Sequence, residues 1–321
     1  MISGLPGGEN PVQLAPGITV CPLTCDLTVI DMAAVGAAGF NEWAAVGSLA
    51  PNCVSEIESA KDFAVTPGYD TLGRVWLAST LLSFRGFDSH LCLAYNTYSW
   101  DLVAGRVASA SRPARYPSTE ELPRFQGGIL DFHLKVWRDG SDPKLLTKED
   151  ADWVNYYFNI FNKLTAKYDN LRLAIEAAVD WRYSADYRSA LARIWCGIEA
   201  ICGISNELVY RVSLVCSALL EERGEKRLQR FQEIKQLYNC RSKAVHGDKI
   251  PEEQKIDALF SSYHLLRDLI ILSGERGHTC KRAHKSLIFK SFSMGFDYFN
   301  HHKQCLSLLI LIICVNIGRA W

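Results

Sequence analysis

In "LYNCRSKAVHGD" (237–248) an arginine and a histidine stand five positions apart, just ahead of a glycine. Arg241 carries a permanent positive charge, and a planar guanidinium grips two phosphate oxygens at once. Histidine, with a reference pKa of about 6.5, takes up and returns a proton near neutral pH. Arg241 with His246 therefore suits proton transfer beside a phosphate. The last turn of an ordinary helix favours the same residue types, because cations there meet exposed carbonyls and the helix dipole, each by roughly 0.3–1 kcal/mol. Five α-helical positions correspond to roughly 500°, so the two side chains point about 140° apart. Either the turn distorts before Gly247, or the pair flanks a groove that a second chain completes.

The residues around the pair have double readings too. "RGEKRLQR" (223–230) is a basic cluster leading into the motif, and Arg230, Ile234, Leu237 and Arg241 recur at spacings of three and four. Arg227 and Arg230 would then form a phosphate track, or the solvated start of a helix. Ser242 has the choice of a phosphate or its own helix backbone. Lys243 faces water or a phosphate.

The elements that must position these groups are helical from about Thr147 onward. Thr147 is an N-cap candidate, with acids in the following turn and an aromatic stripe beyond. Asn170 is expected to open "LRLAIEAAVDW", Ser184 to open "ADYRSALARIWCGIEAIC", and Asn206 to open "ELVYRVSLVCSALLEE". Leu191, Ile194, Ile198 and Ile201 mark one buried face. "EKRLQRFQEIKQLYNCRSKAVH" stops at Gly247, the residue type suited to a left-handed helix end. Pro251 fits the first turn of "EEQKIDALFSSYHLLRDLIIL". These six segments predict a helical bundle.

The first third reads as mixed and partly β. "ITVCPL", "LTVIDM", "HLCLAYNTYSW" and "ILDFHLKVW" are strand candidates. "AAVGAAGFNEWAAVG" fits a small-residue helix or a loop, "TLGRVWLASTLLSF" either state, and "RPARYPSTEELPRFQGG" (112–128) a surface loop or linker. The expected class is α+β: a mixed regulatory or sensor domain over 1–140, a helical domain over 147–273, and a tail over 274–321.

The segment from "IWCGIEAIC" to "KAVHG" resembles the HEPN superfamily of helical nucleic-acid-processing domains, and within it the Apea-like branch. The resemblance rests on Tyr238, Arg241, Ser242, His246 and Gly247 in that order, with Glu199 in "GIEAIC" at the acidic position of an earlier helix. Ser242 departs from the Asn, Asp or His of many relatives, though not from the Apea-like branch. The likeness implies a metal-independent endoribonuclease, without cofactor, in which a homodimer sets Arg241/His246 pairs across one cleft. It further implies a toxin-like effector in prokaryotic defence, held back by a trigger or antitoxin partner, and RNA as the ligand. Glu199 would orient Arg241 or His246, or simply face solvent. The alternative is a non-catalytic dimerisation or nucleotide-binding module.

Composition sets the outer limits. The chain has 321 residues, 48% of them hydrophobic, so core-forming material is ample. Its 35 Lys plus Arg balance 35 Asp plus Glu, so an anionic partner must be held by a local patch. The 11 cysteines form no secreted framework. Cys196, Cys202 and Cys216 are expected to serve as small apolar residues within helices, and Cys21 with Cys25 reads as structural. "MISGLPGGENPVQLAPG" lacks signal-peptide regions, so a reducing cytoplasm is expected. "CLSLLILIICVNIG" (305–318) falls short of the ~20 residues that span a bilayer. It reads as a buried terminal element, a short membrane tail, or a segment outside the evolved fold; no stable membrane association is expected. His278, Cys280, His284, His301, His302 and Cys305 are ligand types without metal-site spacing, so no metal is assigned. Neither a Gly-rich phosphate loop nor a nucleophile elbow occurs.

Overall fold

Apolar periodicity and capping chemistry place most of the helices. The computed structural model describes residues 2–3, 10–23, 53–60, 69–87, 91–92, 94–95, 99–100, 128–129, 145–204 and 208–278. In chain order these form β1 (Ile2–Ser3), β2 (Val12–Ala15), β3 (Ile18–Pro22), β4 (Cys53–Ser59), α1 (Thr71–Phe84), β5 (Leu91–Cys92), β6 (Ala94–Tyr95) and β7 (Gly128–Ile129). Then come α2 (Lys148–Thr165), α3 (Asp169–Asp180), a 3₁₀ turn (Trp181–Tyr183), α4 (Tyr187–Cys202), α5 (Leu208–Leu220), α6 (Glu225–His246) and α7 (Glu252–Arg276). The class is α+β, mostly helical with a small antiparallel sheet near the N-terminus.

That sheet has the order β2-β3-β4-β1-β5, and β6 pairs with β7. Gly17, at φ +72°, turns β2 into β3. Leu14, Ile18 and Val20 are buried in the same cluster as Leu77 and Leu81 of α1 and Val154 and Phe158 of α2. Arg74 of α1 donates from Nη2 to the Pro16 carbonyl at 2.8 Å, tying the hairpin turn to the helix. β3 falls on the expected "ITVCPL". The segments "LTVIDM" and "AAVGAAGFNEWAAVG", most of "RPARYPSTEELPRFQGG" and "ILDFHLKVW", and the tail beyond 278 lie outside the described residues.

An ionic contact between α1 and α2 adds to this apolar join. Thr147 caps α2 in a capping box: its Oγ1 accepts from the Asp150 N–H at 3.2 Å, and Asp150 Oδ2 accepts from the Thr147 N–H at 3.2 Å. Arg85, at the end of α1, reaches the same turn, with Nε 2.9 Å from Asp150 Oδ1 and Nη2 2.6 Å from Glu149 Oε1. Asp150 is 2% exposed, and this guanidinium sets a positive charge beside the buried carboxylate.

α4 lies at the centre of the bundle. Leu191, Ile194, Ile198 and Ile201 are fully buried, as their spacing predicts, and Trp195 donates from Nε1 to Ser262 Oγ of α7 at 3.2 Å. Gly197 lets α3 and α7 close in: a Cβ there would stand 2.8 Å from Ala177 Cβ and 3.0 Å from Leu266 Cδ2.

Several starts differ from expectation. α3 begins at Asp169, and the Asn170 side chain donates instead to the Ala200 carbonyl of α4 at 3.2 Å, a tertiary contact rather than a cap. Ser184 closes the 3₁₀ turn, and Asp186 caps α4 by accepting from the N–H groups of Arg188 and Ser189 at 2.8 and 3.0 Å. A carboxylate with two backbone donors displaces the neighbouring hydroxyl from that role. Residues 205–207, with the Asn206 expectation, lie outside the described residues. Pro251 precedes the first turn of α7 and occupies its N-cap position. "TLGRVWLASTLLSF" is helical as α1, capped by Asp70, whose Oδ1 accepts from the Gly73 N–H at 2.7 Å. Cys202 and Cys216 are buried with sulfurs 3.5 Å apart, but Cys196 is exposed and does not act as a core residue. Among the described residues no helix is long and apolar enough to cross a membrane.

Candidate functional site

α6 carries the motif and commits little of itself to the core. Of its residues only Ile234, Tyr238 and Ala244 are buried, a narrow stripe against the bundle. Tyr238 meets the buried Trp195 of α4 edge-on, ring centroids 5.0 Å apart at 81°. The helix stays α-helical through His246 and closes at Gly247, φ +86°, where the Gly247 N–H reaches the Ala244 carbonyl and the Asp248 N–H reaches that of Lys243. The last turn is undistorted, so Arg241 and His246 keep the separation of about 140° that helical geometry gives them.

Arg241 turns toward α4. Its Nη2 lies 3.6 Å from Glu199 Oε1 and its Cζ stands 5.5 Å from the Tyr238 ring centroid. The two charged side chains are 25% and 22% exposed. At that distance they attract as charges without forming a hydrogen bond, and Arg241 Nε and Glu199 Oε1 are both buried without a hydrogen-bond partner. Burial raises the Glu199 carboxyl above its ordinary value, and the Arg241 charge offsets part of that rise. Burial likewise raises the Tyr238 phenol, assisted by the Glu199 charge. The buried Tyr238 and the half-buried Glu199 and Arg241 thus form a triad with hydrogen-bonding capacity to spare.

His246 stands apart from that triad, exposed at the helix end with Lys243, which is also exposed; Ser242 is half-buried. A further cation sits beside this end. Arg188, in the first turn of α4, places Nη1 3.7 Å from where a Gly247 Cβ would be. No local sequence signal marks Arg188, because only the packing of α4 against α6 brings it there.

The other two arginines are otherwise engaged. Arg227 donates from Nε and Nη2 to the Glu221 carbonyl at 2.9 and 2.7 Å, closing the turn between α5 and α6. Arg230 pairs with Glu233 at 3.1 Å and borders a cavity shared with Glu221, Asp268 and Glu275. The spacing puts Arg230 on the side of α6 that bears Arg241, but its carboxylate surroundings repel a phosphate. Among the described residues no group of three or more His, Cys, Asp or Glu side chains is arranged to hold a metal ion.

Comparison with protein-family models, with curated proteins and with solved structures gives no match.

Proposed function

We propose that the chain is a metal-independent endoribonuclease of the HEPN type, working as a homodimer in which Arg241 and His246 from two subunits enclose one ribose-phosphate linkage. The observation that carries this reading is the division of the motif. A half-buried, hydrogen-bond-hungry guanidinium is held by Glu199 and Tyr238, and a solvent-facing imidazole lies around the helix from it.

In this reading His246 takes the proton of the 2′-hydroxyl, O2′ attacks phosphorus, and the bond to O5′ breaks as that oxygen gains a proton. Arg241 holds the non-bridging oxygens while negative charge builds on them. The internal nucleophile makes the chemistry selective for RNA. Because one chain points the two groups apart, a second copy must supply the opposite wall. Tyr210 and Leu214 on α5 and Leu228 and Val245 on α6 are exposed apolar side chains that such a copy would cover. A role as a toxin-like defence effector, regulated through the N-terminal region by a trigger or antitoxin, follows from the family likeness and from that alone.

The test is incubation of the full chain with labelled RNA in chelator. Cleavage lost in both Arg241→Ala and His246→Ala, with circular dichroism unchanged, supports the nuclease. Cleavage unaltered in His246→Ala overturns it. Retained RNA binding with no cleavage by the native chain favours a non-catalytic binding module.

A further inference from the structure

A second candidate site lies away from the motif helix. A cavity of about 400 Å³ opens between α1 and α3. Helical spacing builds both walls, with Gly73, Trp76 and Leu77 from α1 and Arg172, Glu176 and Val179 from α3. Gly73 matters because a Cβ there would stand 2.8 Å from Tyr69 Cδ1, so its absence lets the tyrosine fold back along the helix.

The charged groups in this cavity are unevenly committed. Asp70 is engaged in capping α1, with Oδ1 2.7 Å from the Gly73 nitrogen. Asp180 pairs with Arg193 at 2.6 Å. Neither Arg172 nor Glu176 is in an ion pair among the described residues, though Arg172 interacts with the Tyr69 phenol. The Arg172 guanidinium lies over the Tyr69 ring, 4.9 Å from its centroid, and its Nε is buried without an acceptor. Glu176, one helical turn further on and exposed, forms no ion pair among the described residues. Burial pushes the Tyr69 phenol beneath Arg172 up to about 12.

One cation and one anion outside any ion pair, a turn apart beside an indole and aliphatic side chains, select a particular chemistry. A simple anion would meet Glu176, a simple cation would meet Arg172, and a neutral ligand would leave both charges unanswered. A small zwitterion answers both charges. We propose that this cavity binds a free α-amino acid with an apolar side chain, its carboxylate on Arg172, its ammonium on Glu176 and its side chain against Trp76, Leu77 and Val179.

Titration calorimetry of the full chain with L-leucine and L-tryptophan tests this, alongside N-acetyl-L-leucine and L-leucine methyl ester. Saturable one-to-one binding is expected for at least one free amino acid, with each blocked derivative about tenfold weaker or worse, the effect of losing a charge-assisted hydrogen bond. Glu176→Gln, at an exposed position that leaves folding intact, weakens the free amino acids without affecting the residual binding of the N-acetyl form. Arg172→Gln weakens binding of both carboxylates. Absence of saturable binding by either free amino acid at millimolar concentration overturns the proposal. So does binding that Glu176→Gln leaves unaltered.

Discussion

The Arg241 guanidinium and the Glu199 carboxylate face each other across α6 and α4 at 3.6 Å, close enough to attract and too far to share a hydrogen. Burial outweighs the attraction on the glutamate, whose carboxyl lies above its ordinary value. The folded chain therefore holds that proton more tightly than the unfolded chain. The charged form is a liability that sets in as pH rises through the unfolded value toward the folded one. Glu199→Gln should accordingly gain on the native chain as pH rises from about 4 to 7 in thermal melts. A gain that shrinks over this range would contradict the assigned cause.

If the two subunits each donate one half of a reaction centre, inactive variants should complement one another. Arg241→Ala mixed with His246→Ala forms hybrid dimers with one intact pairing and one empty one. Random mixing then recovers about a quarter of native RNA cleavage, since half of the dimers are hybrids and each has one working site. Recovery no greater than that of either variant alone would place both groups in one subunit.

If the chain binds RNA as proposed, Arg188 should matter more to that binding than its place in the sequence suggests. It flanks Gly247 beside His246, whereas Arg230 is paired with Glu233 and bordered by further carboxylates. Arg188→Ala should weaken RNA binding about tenfold, in the range of a lost charge-assisted contact, while Arg230→Ala should change it little. Filter binding at two salt concentrations distinguishes them, because only a true phosphate contact lowers the salt dependence.

Removing Arg85 takes a cation away from a buried acid. Asp150 keeps its capping bonds to Thr147 but loses the cation beside it. Arg85→Ala should destabilise the fold by about 1–3 kcal/mol, read from the urea midpoint. Arg85→Ala combined with Asp150→Asn should recover part of that loss, because the amide keeps an acceptor for the Thr147 N–H without a charge.

Gly197 should refuse a methyl group. With Ala177 Cβ at 2.8 Å and Leu266 Cδ2 at 3.0 Å from the added carbon, Gly197→Ala should cost about 1–3 kcal/mol, despite alanine's better helix propensity. A more stable variant would mean that α4 has room to shift.

Much of this architecture was legible in the residues, and the exceptions share a cause. Thr147, Gly247 and the stripe from Leu191 to Ile201 announce themselves locally, through capping chemistry and period, and each stands where expected. β4 escaped notice because "CVSEIES" buries Ser55 and Glu56. Glu56 is answered by Ser99 and by the Trp100 N–H, partners far along the chain. Asn170 does not open α3 because its amide serves α4 rather than its own helix. Arg188 was invisible for the same reason: its importance comes from what packs beside it. The motif residues could be named from order alone. The separation of His246 from the Arg241–Glu199–Tyr238 triad needed an undistorted final turn, which no spacing rule guarantees.

The narrow footing of α6 has a bearing on its motions. A long helix that buries only Ile234, Tyr238 and Ala244 can lift from α4 without disturbing the deeper layer of Leu191, Ile194 and Ile198. Its amides should exchange with deuterium well before those of α4, making the motif-bearing helix the first cooperative unit to open. Anything that clamps it against a neighbour would slow that exchange, and would report engagement of the helix even where no chemistry follows.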